Sequence, residues 1–225
     1  MKHRSGRTGR ISLGGILFLL AAAGAACSLL PAPRETARNT FLLHPEPSPS
    51  DAAPARCDAR SATLLVNVPR EEPGFDTPRM AYFLRSHAVN YYANSQWADT
   101  PARMLASLLV NAVESACCLR AVVRAPGAIP ADFRLDTEDL VLGQEFFSRP
   151  SRVRLAVRAI LVDVGEQSVV ATRRFEVLVD SPSEDAQGGA VAANRAAAKL
   201  LGSLSVWTEE SLGRYGSRSA PPARP

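Results

Sequence analysis

The chain of 225 residues carries 26 lysines and arginines against 22 aspartates and glutamates, but four of the basic residues fall in the first ten positions. Without that front end the two signs balance, so the basic character leaves no electrostatic footprint for nucleic acid. Only His3, His44 and His87 supply imidazole, which narrows the room for acid–base chemistry from the start.

The opening MKHRSGRTGR contains Lys2, Arg4, Arg7 and Arg10 and no acid, and residues 11–26 then run without a charge to the small residues Gly24, Ala25 and Ala26. A basic start, a short apolar stretch and a small-residue exit predict an export signal over residues 1–26. The apolar stretch is shorter than the ~20 residues that span a bilayer. Cys27 follows directly, as in the lipobox of bacterial lipoproteins, with Gly24 where that pattern favours Leu. Lipidation of Cys27 would anchor the chain to a membrane. The alternative is ordinary signal-peptidase cleavage after Ala25 or Ala26. Free thiols are uncommon in exported chains, which speaks for the lipid. Ser28 comes next, not Asp, and by the enteric sorting pattern this points to the outer membrane, with the chain facing the periplasm.

Residues 27–58, with PEPSPSDAAPA at their centre, bury too little apolar surface to fold and are expected to be a disordered tether. Residues 59–212 then form one domain of about 150 residues, a common domain size, and 213–225 (GRYGSRSAPPARP) are expected to be a disordered tail. Within the domain, residues 62–68 read as an apolar strand. Residues 80–84 and 89–92 read as two short strands around Arg85-Ser86-His87. Thr100 is a good N-cap and Pro101 suits the first helical position. Met104, Leu105, Leu108, Leu109, Ala112 and Val113 recur at helical spacing to about Ala116. Residues 119–124 return as a strand in a β-α-β unit.

Three longer strands are predicted over 132–146, 152–164 and 168–179, with a tight turn at Gly165-Glu166-Gln167. In the second, Val153, Leu155, Val157, Ala159 and Leu161 face one way and Arg152, Arg154 and Arg158 the other. Gly188-Gly189 opens a final helix with Ala193, Ala197, Leu200, Leu201, Leu204 and Trp207 on its buried stripe. The expected fold is α+β, a mixed, largely antiparallel sheet with two helices on one face.

Chemistry finds little to rest on. His87 lies in an expected turn, and no metal-binding spacing, phosphate loop or nucleophile–base pair is present. No catalytic residue, cofactor site or metal site is therefore expected, and binding is the better class. Arg152, Arg154 and Arg158 offer a surface for lipid phosphates or an acidic partner, or else a solvated face paired with Glu176 and nearby acids. Cys57 and Cys117-Cys118 precede two strands expected to run parallel as neighbours. A disulfide from Cys57 to Cys118, or to Cys117, is therefore expected; the alternative leaves Cys117 and Cys118 as small core residues.

PRMAYFLR (78–85), NYYANSQWADTPARMLASLLVNAVESA, DFRLDTEDLVLGQEFFSRPSRVRLAVRAILVD, TRRFEV and GGAVAANRAAAKLLGSL together resemble the ABC-type transport auxiliary lipoproteins of Gram-negative envelopes. FLLHPEP (41–47) is similar to the short apolar motif that such proteins carry after the tether. The resemblance implies a non-catalytic lipoprotein with a fold similar to the lipopolysaccharide-assembly lipoprotein and the TolB N-terminal domain. It also implies an ABC permease/ATPase complex and a mammalian-cell-entry (MCE) domain protein as partners, in lipid transport of the Mla or paraquat-inducible type. Tyr91, Tyr92 and Trp97 are then either a corner at the start of the helix or, in addition, an aromatic surface for that partner. A lipid carrier, holding its cargo between sheet and helices, is the alternative function.

Overall fold

The structure is a computed structural model that describes residues 38–46, 60–117, 119–127 and 129–219. The expected signal peptide, Cys27, Cys57 and Cys118 lie outside these residues. In chain order the elements are β1 (Asn39–Phe41), β2 (Arg60–Val66), β3 (Arg79–Arg85), β4 (Ala88–Trp97), α1 (Pro101–Ala116), β5 (Leu119–Arg124), β6 (Phe133–Glu145), β7 (Arg152–Asp163), β8 (Ser168–Asp180) and α2 (Ala186–Ser219).

β6 is the spine of an eight-stranded sheet. Along one edge it pairs antiparallel with β7, which pairs antiparallel with β8. Its other edge is shared. β2 runs parallel to its start, with Leu64 opposite Phe133, and β3 runs parallel to its end, with Ala81 opposite Gly143. Between them the backbone N–H groups of Asn67, Arg70 and Glu72 donate to the carbonyls of Leu135, Thr137 and Leu140. In return the Leu140 N–H donates to the Arg70 carbonyl at 3.0 Å, so the loop continues the pairing that buried backbone requires. β5 extends the β2 limb in parallel and β4 extends the β3 limb antiparallel. The expected α+β architecture and mixed sheet are present, and the parallel pairing of β2 with β5 is the one expected of the β-α-β unit.

Strict alternation accounts for β7, whose Val153, Leu155, Val157, Ala159 and Leu161 are all buried. β6 changes phase along its length. Leu135 and Thr137 point inward, and after a bulge so do Leu140, Leu142 and Gln144. Asp139 supplies the extra residue by taking a left-handed backbone (φ 55°), which aspartate tolerates better than most side chains. At the turn into β8, Gln167 is left-handed (φ 51°) and Asp163 accepts from the Glu166 N–H at 2.8 Å.

α1 starts where expected: Thr100 Oγ1 accepts from the Arg103 N–H at 3.4 Å, and Pro101 has no N–H that would need an acceptor. Glu71 adds a second cap, accepting from the Ala102 N–H at 2.9 Å. Leu105, Leu109 and Val113 of α1 meet Leu200 and Leu204 of α2 in one core. The first half of α2 buries alanines (Ala190, Ala193, Ala197), and the second half buries leucines and Trp207, which meets Phe175 edge-on at 5.7 Å. Each fully buried leucine contributes roughly 1.5–3 kcal/mol relative to exposure.

Three boundaries differ from expectation. β1 lies inside the predicted tether, because its backbone finds the open edge of β4. β4 continues to Trp97 instead of ending at Tyr92, because β1 pairs along its last residues. α2 runs to Ser219, beyond the expected start of the tail at 213; Leu212 is buried, and Tyr215 meets Phe133 at 6.0 Å, which holds the last turns against the sheet.

Candidate functional site

One end of the domain is built from β1 and α2. β1 runs parallel to β4, with Asn39, Thr40 and Phe41 opposite Ser95, Gln96 and Trp97. The Ala98 N–H donates to the Phe41 carbonyl at 2.8 Å, and Leu43 is buried. Beyond β1 the chain has no strand beside it, and Asn194 of α2 takes that role. Its Oδ1 accepts from the His44 N–H at 2.5 Å, while its Nδ2 donates to the carbonyls of Leu42 and Ala190, each at 3.0 Å. The side-chain amide thus imitates a strand's peptide group, and the apolar FLL motif becomes part of the folded unit.

A second polar cluster lies where α2 begins. Tyr92 donates its hydroxyl to Gln144 Oε1 at 2.8 Å, and Gln144 Nε2 donates to Ser151 Oγ at 2.9 Å. Gln144, Ser151 and Ser181 are buried together. Burial first, and then the nearby Asp185 carboxylate, push the Tyr92 phenol up to about 12, so it stays a donor. Asp185 caps the helix by accepting from the Gly188 N–H at 2.8 Å. The hydrogen bond from Ser183, followed by that N–H, holds its carboxyl below its ordinary value. The glycine pair is required by crowding. A Cβ on Gly188 would lie 2.2 Å from the Ser183 carbonyl, and one on Gly189 would lie 2.3 Å from Gln144 Oε1. The sequence places this pair at the start of the helix without giving its purpose, because what stands opposite a glycine is not local information.

The predicted surface residues meet different fates. Arg154 Nε lies 2.7 Å from Glu145 Oε1 and 3.7 Å from Glu176 Oε1, and Arg158 lies 3.1 Å from Glu138, which also meets Arg70 at 2.6 Å. Arg152 is partly exposed on the same face. Tyr91 and Tyr92 are consecutive in β4 and point to opposite faces. The Tyr91 hydroxyl donates to the Gly74 carbonyl at 2.7 Å, and the Arg79 guanidinium sits 4.0 Å over its ring. Trp97 is only 3% exposed and belongs to the core. Of the two readings of Tyr91, Tyr92 and Trp97, the buried Trp97 just ahead of α1 fits the structural corner, with Tyr92 packed against the same core and Tyr91 on the opposite face of β4. Of the cysteines, Cys117 is described, and its Sγ lies 3.8 Å from the Ser205 carbonyl in the core.

Among the described residues no three of His, Cys, Asp and Glu gather as a metal site would require. His87 occupies the tight turn between β3 and β4 in a left-handed conformation (φ 66°). A cavity between sheet and α2, lined by residues including Met80, Trp97, Gln144 and Ala193, has a volume of about 10 Å³. That is room for one water at most. A wider, open groove of about 530 Å³ borders Asn67, Arg70, Pro126 and Arg134. There Asp136 already accepts from Asn67 at 2.5 Å and from Arg134 at 2.9 Å. No helix among the described residues is long and apolar enough to cross a membrane.

A family model described as ABC-type transport auxiliary lipoprotein component matches residues 41–204. The match begins in β1, at the residue opposite Trp97. Among solved structures, a protein from Xanthomonas campestris is 25% identical, with a TM-score of 0.68 over 80% of this chain and 98% of its own. An uncharacterized protein of 12% identity shares the fold at a TM-score of 0.57, over 76% of this chain and 99% of its own. No curated protein matches the sequence.

Proposed function

Since the chain belongs to the ABC-type transport auxiliary lipoprotein component family, we propose that it is a non-catalytic envelope lipoprotein that docks onto an MCE-domain partner in the periplasm. In this reading Cys27 carries the lipid, the anchor lies in the outer membrane, and the ABC permease/ATPase complex moves lipid. The domain works as a fixture between a membrane and the transport assembly, with no bond made or broken on it.

The observation that carries docking over carriage is the filled interior. A carrier needs a dry cavity large enough for acyl chains, and ligand pockets run to about 300–1,000 Å³. The cavity beside Met80, Trp97, Gln144 and Ala193 is about 10 Å³, and the leucines and alanines of α2 pack into one core with β6 and β7. The partly exposed arginines of β7 and the outer face of the sheet remain for a partner. Affinity purification of the full-length protein from envelopes in mild detergent tests this reading. Recovery of an MCE-domain protein without stoichiometric phospholipid is the expected result. Recovery of bound phospholipid and no transport component would replace docking with carriage.

A further inference from the structure

We propose that the tip of the β3–β4 hairpin and the β6–β7 loop form a membrane-contacting end, seated on the bilayer that holds the Cys27 anchor. The two segments are neighbours: Phe83 pairs with Glu145, the Phe146 N–H donates to the Phe83 carbonyl at 2.9 Å, and the Tyr82 and Phe146 rings meet edge-on at 6.0 Å. At this end Leu84 is 54% exposed, Phe147 49% and Val89 39%, with the exposed Arg85 and Arg149 beside them. Asp180, Glu184 and Asp185 border the same end and offset the arginines. Apolar contact, not net charge, therefore carries the proposal, and large apolar side chains beside arginines suit the headgroup boundary.

Exposed apolar residues alone do not choose this end, because Val164 and Val169 at the opposite end of the sheet are exposed as well. The direction of β1 chooses it. β1 is parallel to the last residues of β4, so the chain enters β1 from the side of the hairpin tip. Cys27 is only twelve residues before Asn39, a reach of at most about 40 Å. Passing from the level of Ser95 back to the tip at Ala88 takes up about 23 Å of that at the strand rise. Had the 42–44 segment been free, the reach would have extended to β2 and no face would be preferred.

This orientation rests on the lipid-anchor reading above, and the test separates the two. Full-length lipidated protein is reconstituted in phosphatidylethanolamine/phosphatidylglycerol vesicles containing brominated acyl chains. Tryptophan reporters are placed singly by Phe147→Trp, Leu84→Trp and Val169→Trp, against a parent whose Trp97 and Trp207 are buried. Val169 is more exposed, at 62%, but lies near the far end of β8, about 36 Å from Asp180 at the strand rise. The expected result is quenching and a blue shift at positions 147 and 84, with none at 169. Protein that floats with the vesicles yet shows no quenching at 147 or 84 overturns the orientation and leaves the anchor standing. A chain that incorporates no palmitate and does not float overturns the anchor, and the orientation with it.

Discussion

The side chain of Asn194 accepts from the His44 N–H and donates to the Leu42 carbonyl, so one residue of α2 holds a segment 150 positions earlier in the chain. That relationship ties a stretch of the expected tether, just after β1, to the folded domain.

Replacing Asn194 with alanine removes both bonds, each worth ~1 kcal/mol. Alanine returns only a few tenths of a kcal/mol through its helix propensity, so the melting temperature should fall by roughly a few degrees. Amide exchange at residues 40–44 should accelerate about tenfold or more, the factor that corresponds to ~1.4 kcal/mol. Asn194→Asp keeps the acceptor for His44 and should give an intermediate rate. Exchange equal to wild type in Asn194→Ala would show that β1 and Leu43 hold the segment without the amide.

Arg154 and Arg158 look alike in the sequence and should differ in the folded protein. Arg154 faces Glu145, whose side chain is 6% exposed, whereas the Glu138 that Arg158 meets is better solvated and also has Arg70. Arg154→Glu places a second negative charge against a buried carboxylate and should cost several kcal/mol, on the order of 3. Arg158→Glu breaks a surface pair and should cost about 1 kcal/mol or less. Equal urea midpoints for the two variants would refute the distinction.

A glycine inside a helix normally gains about 1 kcal/mol on replacement by alanine. Gly189→Ala should instead destabilise, because its Cβ would fall 2.3 Å from Gln144 Oε1. Shortening the obstacle tests the cause: in a Gln144→Ala background the same change should lose much of its penalty, a non-additivity measurable by a double-mutant cycle. Gly188→Ala meets the Ser183 backbone instead and should not be rescued.

Asp185 is held below its ordinary value of 3.8 by the hydroxyl of Ser183 and the Gly188 N–H. A carboxyl lowered in the folded state contributes stability above its unfolded value, and that stability is lost as pH falls through the folded one. Asp185→Asn should therefore flatten the pH dependence of unfolding below about pH 4 while changing it little at neutral pH. An unchanged acid limb would mean that the cap contributes nothing through its charge.

We expect a disulfide between Cys57 and Cys118. Arg60 pairs with Leu119, which sets the starts of β2 and β5 side by side, while Cys117 turns into the core toward Ser205. The bond would add ~2–4 kcal/mol by restricting the unfolded chain. Non-reducing peptide mapping of periplasm-derived protein should find the cross-linked pair; complete alkylation of both thiols would exclude it.

Much of this molecule is written locally. The alternation of β7, the Thr100-Pro101 start of α1 and the apolar stripe of α2 are repeating or short-range properties, and each appears in the structure where the sequence placed it. The scarcity of histidine and the sign of the first ten residues are equally local. Other features depend on residues far apart competing for backbone partners and space. β1 exists because the edge of β4 is open. Trp97 is buried because β4 outlasts its hydrophobic pattern. The phase of β6 shifts at Asp139, where one extra residue must be absorbed. Gly188 and Gly189 are glycines because Ser183 and Gln144 occupy the space their side chains would need, and Asn194 matters because two carbonyls and one N–H arrive beside it. A periodic pattern states which face of an element is apolar, but only the packed chain decides which edge, side chain or neighbour that face will meet.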